Sequence, residues 1–333
     1  MDTGAIQRNL FQVIKSRLPS DASLADEVAA LLDISIDSAY RRMRSEKPLT
    51  FDELYKLSVH YRISIDELMH IHTAAFLFQG NLLNSKDFGG EDHFRSMVQI
   101  LSHFNSFKNK EFYYLCKDVP IFYHFLSRDI AAFKYFFWMK TIFDFPGFAN
   151  QSFSFDAYPA DVSDTGEKIL EIYNQIPSVE FWNVENINIG IRQVEFYRDS
   201  RMFDSDRDAL RIYEAWEKVI DHLKSQAELG YKYKYGDAGK IPISPLKVYF
   251  NEVILGDNSM MAILDGAKSA LMPHTVINYM VTRDVSFCEN MYGYIQRLAR
   301  RSTLISEVSE KERSKFFRIL KERIQVRKDA LRL

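Results

Sequence analysis

Apolar residues recur at spacings of three and four through the first seventy positions of the chain. Ile6, Leu10, Val13, Ile14 and Leu18 mark one face of a first helix, which Pro19 ends. Leu24, Val28 and Leu31 give a second helix its inner face behind the N-cap Ser23, and Ser35 caps a third that runs through Tyr40 and Met43. Thr50-Phe51-Asp52-Glu53 and Ser64-Ile65-Asp66-Glu67 have capping-box spacing and open a fourth and a fifth helix. The fourth turns Phe51, Leu54, Leu57 and Tyr61 inward, and the fifth is expected to continue through Met69, Ile71 and Phe76 to about Phe78. These faces together close the core of a small five-helix domain, residues 1–78. Gly80, Asn81, Asn84, Gly89 and Gly90 then mark a loop before a larger domain, residues 91–333.

Residues 91–150 read as mostly helical. Phe94, Met97, Val98, Leu101 and Phe104 share a helical face, Pro120 starts a further segment, and Ile130–Phe143 is apolar nearly all round, as in a centrally buried helix. A loop follows over 145–160, then helices over 166–176, 186–199 and 206–229. From Gly230 the texture changes. Tyr231–Tyr235 alternates with lysines and predicts an edge strand whose tyrosines share a half-buried face. Leu246–Leu255 and Met260–Leu264 are rich in strand formers, and Asp265-Gly266 is a hairpin signal before a return strand over Lys268–Met272. Helices over 275–282, 284–301 and 309–333 complete the chain. The expected fold class is mainly α, with a small antiparallel sheet near 246–272 in a mostly helical α+β C-terminal domain.

The 333 residues suffice for two domains, and 47% hydrophobic with 14% aromatic residues predict a large core rich in rings. A net charge of −2 excludes a globally basic, nonspecific nucleic-acid binder; acids slightly outnumber bases even in the first seventy residues, so any DNA contact must be local. Cys116 and Cys288 lie far apart without metal-type spacing and read as free thiols of a reducing compartment. The start of the chain lacks a signal pattern, and the apolar run Ile130–Trp138 is short and interrupted by Lys134. A cytoplasmic protein without membrane spans is the expectation.

Only Asp33, Ile34 and Ser35 separate the second and third helices, which must therefore turn sharply. Val28-Ala29, Leu32-Asp33-Ile34-Ser35 resembles the L-A-x-x-L-G-V-S approach to the recognition helix of Cro/phage-repressor-type (XRE) regulators. Leu49–Leu54 and Ile63–Leu68 resemble that family's fourth and fifth helix starts. The resemblance covers residues 5–70, about a fifth of the chain. Asp33 stands where the family has a turn glycine, a position a short polar side chain tolerates. Arg44-Ser45-Glu46-Lys47-Pro48 follows the third helix without a glycine.

The resemblance implies a lambda-repressor-like helix-turn-helix domain and a transcriptional regulator. It implies DNA contacts from Ser35, Asp37, Ser38, Tyr40, Arg41, Arg42, Arg44 and Lys47, on and just beyond the third helix. Arginine can read guanine edges bidentately, lysine can hold phosphates, and an acid can accept from cytosine N4. The plainer reading of the basic cluster is a solvated helix face, and Tyr40 is divided between core and contact. The expected partners are double-stranded DNA and a second copy of the chain as a homodimer, with a small-molecule effector left open; the C-terminal domain would dimerise, sense or contact a partner. The alternative is an enzyme or nucleic-acid-processing C-terminal domain delivered to DNA.

Other features point to no site. His70 and His72 lie about 200° apart on a helix and cannot share a metal there; no cofactor or metal fingerprint, phosphate loop or nucleophile elbow occurs, and catalysis has no positive signal. The aromatic run between Phe107 and Tyr158 reads as packed core rather than an apolar ligand pocket. Should a cavity exist, Phe136, Trp138, Phe181 and Trp182 are large enough to line it. The last helix has Phe316, Phe317, Leu320, Ile324 and Leu331 on one side and many bases elsewhere, which suits packing on a partner helix or a solvated tail equally.

Overall fold

The computed structural model describes residues 3–18, 22–69, 76–80, 90–254 and 256–331. Its contacts divide the chain into an N-terminal unit, Met1–Leu77, and a C-terminal unit, Phe78–Leu333.

The N-terminal unit contains α1 (Thr3–Arg17), α2 (Leu24–Leu32), α3 (Ile36–Met43), α4 (Phe51–His60) and α5 (Ile65–Met69). Leu10, Phe11, Ile14, Val28, Ala29, Leu32, Ala39, Leu57, Ile63 and Leu68 form its core. Phe51 was expected inside but is 86% exposed. It lies in the first turn of α4, where side chains point back toward the N-terminus and off the end of the core. The expected extension of α5 crosses residues 70–75, which lie outside the described ones, as do His70 and His72. Phe76–Phe78 are not helical, and Gln79 instead exchanges backbone hydrogen bonds with Val281.

The C-terminal unit departs further from expectation. Among the described residues its sheet has eight strands and is mixed, not small and antiparallel. β1 (Lys110–Leu115), β2 (Ser178–Trp182) and β4 (Ser244–Phe250) are parallel neighbours in the order β4-β2-β1. β5 (Ser259–Leu264), β6 (Ala267–Pro273) and β7 (Tyr279–Thr282) extend it antiparallel beyond β1, while β3 (Tyr231–Lys232) and β8 (Thr303–Leu304) pair with β4. Residues 279–282 were expected to be helical; pairing with β6 overrides that local preference.

Side-chain alternation splits the sheet into two faces. Phe112, Tyr114, Trp182, Val248, Met260 and Ala262 point into the larger core. There they meet α6 (Gly90–Asn105), α7 (Arg128–Phe137, continued by a π-helical turn, Trp138–Ile142), α8 (Ala160–Asn174), α9 (Asn186–Asp199), α10 (Asp206–Leu229) and α12 (Glu310–Ala330). Tyr113, Leu115, Phe181, Met261 and Ala270 point the other way, onto Cys288, Met291 and Ile295 of α11 (Val285–Arg300).

The aromatic run is packed core, with Phe122 stacked on Tyr173 at 4.0 Å and Trp138 buried among neighbouring rings. α12 packs on α10 through Phe316, Phe317, Leu320 and Ile324, and its bases reach acids of the same unit. Lys321 bonds Asp221 at 2.9 Å, Lys328 bonds Glu217 at 2.5 Å and Arg323 bonds Glu185 at 2.6 Å. The element is therefore neither a solvated tail nor an open partner-helix face along this side: it packs on a helix of its own unit, a possibility the sequence reading did not weigh. No described helix is long and apolar enough to cross a membrane.

Candidate nucleic-acid interface

Three residues turn α2 into α3. Asp33 adopts the left-handed conformation (φ 55°, ψ 53°) that the sequence requires where no glycine is available. The Ile34 N–H then closes on the Ala29 carbonyl at 3.0 Å. Ser35 caps α3, accepting from the Ser38 N–H and donating to the Ser38 hydroxyl at 3.0 Å. Ser45 takes the second left-handed position (φ 61°) just past α3, and its hydroxyl donates to the Gly4 carbonyl. Gln7 of α1 holds the exit from α3, donating to the Arg42 and Lys47 carbonyls and accepting from the Leu49 N–H.

This frame divides the expected contact residues. Ser35, Asp37, Tyr40, Arg41, Arg44 and Lys47 are exposed and Ser38 is half-buried. Arg42 is different. Its side chain is 4% exposed, and its guanidinium makes a bidentate pair with Glu53 (Nε–Oε2 3.0 Å, Nη2–Oε1 2.5 Å) while Nη1 donates to the Ser38 carbonyl. Glu53 also accepts from the Thr50 N–H, completing the capping box of α4, and the Arg42 hydrogen bond holds its carboxyl below the usual carboxylate range. Arg42 therefore ties α3 to α4 and leaves the contact set. A basic residue in a run of bases gives no sign of that from sequence, although the Thr50–Glu53 spacing did identify its partner as ordered. Gln7 left no signal either, because a single polar position in an amphipathic helix is usual.

Arg44 faces Glu46 at 2.7 Å on the open surface, and this contact raises the arginine and lowers the glutamate. Such an exposed pair is readily exchanged for a phosphate. Arg41 and Lys47 have no ion-pair partner among the described residues. The arrangement is thus a capped helix presenting hydroxyls and one acid near its start and bases toward its end. No protein-family model, curated protein or solved structure matches the chain.

The C-terminal unit holds its own buried polar centre, on β2. Glu180 receives Tyr123 and Tyr173 hydroxyls at 2.6 Å on one oxygen and the Trp182 indole N–H at 2.8 Å on the other. Burial, and then the Glu180 charge, push both tyrosines well above their ordinary range. Lys134 of the central helix is wholly buried and bonds Asp118 at 2.9 Å. Past the carboxyl ends of the parallel strands, Asn183 donates to the Asn251 carbonyl and Asn186 to the Cys116 carbonyl, so both amides organise loops. An open pocket of 360 Å³ lies beside the end of β4, with Asn251, Glu252, Ile254, Arg301 and Glu312 in its wall. Phe136, Trp138, Phe181 and Trp182 do not line it; all four are buried packing residues. Among the described residues, no group of three or more His, Cys, Asp or Glu is placed to hold a metal ion.

Lys232 corrects the expectation for Tyr231–Tyr235: the lysine, not the tyrosines alone, turns inward. Its ammonium is fully buried over the Tyr173 ring, 3.5 Å from the centroid, and donates to the Tyr173 and Ile176 carbonyls at the end of α8. Burial lowers it to about 7, with Glu180 opposing. The unfolded chain then binds the extra proton between pH 7 and the ordinary lysine value, so this group makes stability rise with pH across that window. Wild type should gain stability relative to Lys232→Met between pH 7 and about pH 9, where ordinary tyrosines, near 10, remain mostly protonated, and show no such relative gain between pH 5.5 and 6.5. Parallel urea titrations of the two proteins measure this; a pH-independent difference would show that burial does not lower Lys232.

Proposed function

We propose that the chain is a sequence-specific DNA-binding transcriptional regulator, its N-terminal unit a lambda-repressor-like helix-turn-helix domain of the Cro/phage-repressor type. The observation that carries this reading is the left-handed Asp33 turn leading into a capped α3 whose Ser35, Asp37, Tyr40, Arg41 and Arg44 are exposed. A recognition helix needs that combination. Its start must be free to enter the major groove, its inner face must be fixed to the core, and its bases must reach past the groove edges. Ala39 and the Arg42–Glu53 pair supply the fixing. Arg41 and Arg44 are the candidates for base edges or phosphates, Lys47 for phosphate, and the capped starts of α2 and α3 for backbone N–H contacts to phosphate. Asp37 disfavours a phosphate beside it and favours a cytosine amino group.

In this reading the C-terminal unit dimerises the protein and conveys an effector signal. A homodimer supplies two recognition helices for half-sites about one helical turn apart. An effector acts only through a difference in affinity between two arrangements of the dimer.

The test begins with selection of bound duplexes from a random library. Arg41→Ala should then lose about 1–3 kcal/mol on the selected site and relax preference at one base pair, if Arg41 reads a base. Lys47→Ala should instead weaken all sequences alike and flatten the salt dependence. A folded Arg41→Ala, Arg44→Ala, Lys47→Ala triple variant that binds the selected DNA as tightly as wild type would end this assignment.

A further inference from the structure

The exposed face of α3 has two unlike edges. Ile36 is 51% exposed and Tyr40 44%; they stand one turn apart, so their side chains are neighbours along one edge. At about 3.6 residues per turn, Arg44, Asp37 and Arg41 follow at roughly 80°, 100° and 140° round from Ile36 and make the other edge polar. Ala39 and the Arg42–Glu53 pair fix the opposite side of the helix. Ile36 is the first residue of α3, and neither the Ser35 cap nor the core uses its side chain. The bases beside it decide what chemistry meets this face. Arg41 and Lys47 have no ion-pair partner among the described residues, and Arg44 pairs with Glu46 on the open surface. A polyanion suits those surroundings, whereas an apolar protein surface would bury the charges unpaired.

We infer that Ile36 reads the methyl group of a thymine in the bound DNA, with the Tyr40 ring beside it. This rests on the regulator reading above and adds to it a residue and a base. In the major groove of unmodified DNA every base edge offers donors or acceptors, and the thymine C5-methyl is the one apolar group among them. A donor or acceptor placed beneath Ile36 would lose its water and gain no hydrogen bond, which costs binding. The apolar edge of α3 therefore selects T·A over the other pairs at the position it covers.

The neighbouring side chains agree with that choice. Tyr40 adds an apolar ring to the same edge, and its hydroxyl, reaching past the ring, can donate to a phosphate instead of being left unpaired. Asp37 points about 100° away from Ile36 and so meets a different base, where it favours a cytosine amino group. Thymine at one position of the half-site and cytosine at another are thus separate preferences, each set by its own side chain.

The test uses the full chain and duplexes selected from a random library, each thymine of which is replaced in turn by uracil. Uracil lacks only the C5-methyl and keeps every hydrogen-bonding group of the pair. At one thymine of each half-site the replacement should weaken wild-type binding about fourfold, the worth of one methyl-sized group taken out of water. Ile36→Ala should weaken binding to the thymine duplex by a similar factor and bind the thymine and uracil duplexes alike. Its salt dependence should match that of wild type, because Ile36 holds no phosphate, whereas a displaced helix would change it. Arg41→Ala should keep the discrimination between thymine and uracil. Wild type that binds every uracil duplex as tightly as its thymine counterpart overturns the inference. So does an Ile36→Ala chain that still discriminates at the same position, since another residue then reads the methyl. Either result leaves the regulator reading in place, because the selected DNA is still bound. A selection that yields no DNA ends both.

Discussion

Glu180→Ala is expected to cost the C-terminal unit about 5 kcal/mol, the largest effect of any single change considered. The carboxylate gathers two tyrosine hydroxyls and an indole N–H inside the aromatic core, and alanine leaves all three buried without that acceptor. A cavity adds to the loss. Glu180→Gln keeps the volume and one acceptor oxygen, but turns a donor toward groups that themselves donate, and should cost about half as much. Urea unfolding followed by tryptophan fluorescence reads both, Trp182 being itself one of the bonded groups. An alanine variant within 1 kcal/mol of wild type, a difference smaller than one orphaned buried donor costs on average, would mean that the network rearranges freely and does not define this core.

Arg42→Ala is expected to remove about 3 kcal/mol from the N-terminal unit, the scale for breaking a mostly buried bidentate pair. The loss reaches α4 as well, because Glu53 is shared between Arg42 and the Thr50 cap. Lysine should not rescue it, since an ammonium cannot reproduce the planar fork. Arg41→Ala, one position earlier and exposed, should leave stability within about 0.5 kcal/mol of wild type. Hydrogen exchange of the full chain separates the two: amides of α2–α4 lose protection in the Arg42 variant and keep it in the Arg41 variant. Retained protection together with a changed base preference in Arg42→Ala would return that residue to the set proposed to contact DNA.

The contrast between neighbouring arginines shows where sequence reading ends. Helix starts were legible because caps are local: Ser23, Ser35 and Thr50 each accept from an N–H three residues away. The left-handed turn was legible for the same reason, at Asp33. The direction of Arg42 depends on Glu53 in another helix, and that of Phe51 on where the core stops, and neither is a local property. β1 and β2 were illegible for a related reason. β1 lacks the polar–apolar alternation that identifies a strand with one wet side, and β2 alternates from Ser178 to Phe181 but buries both of its polar residues, Ser178 and Glu180, instead of wetting them. The hairpin of β5 and β6 was readable from its Asp265-Gly266 turn, whereas β1 pairs with segments far away in the chain and has no turn to announce it. Lys232 reads as a surface lysine until the carbonyls at the end of α8 are brought to it.

The place of β1 also orders events during synthesis. It lies between β2 and β5, and its register joins Lys110 to Leu264, about 150 residues further on. At about 5–20 residues per second, a ribosome needs roughly 8–30 seconds to supply that partner. The N-terminal helices need only their immediate neighbours and can close well before then. The nascent chain therefore passes through an interval with its first unit folded and a tyrosine-rich strand still half-paired. Until Ser259–Leu264 emerges, that edge of β1 is the place where topology leaves the nascent chain most open to pairing with another strand.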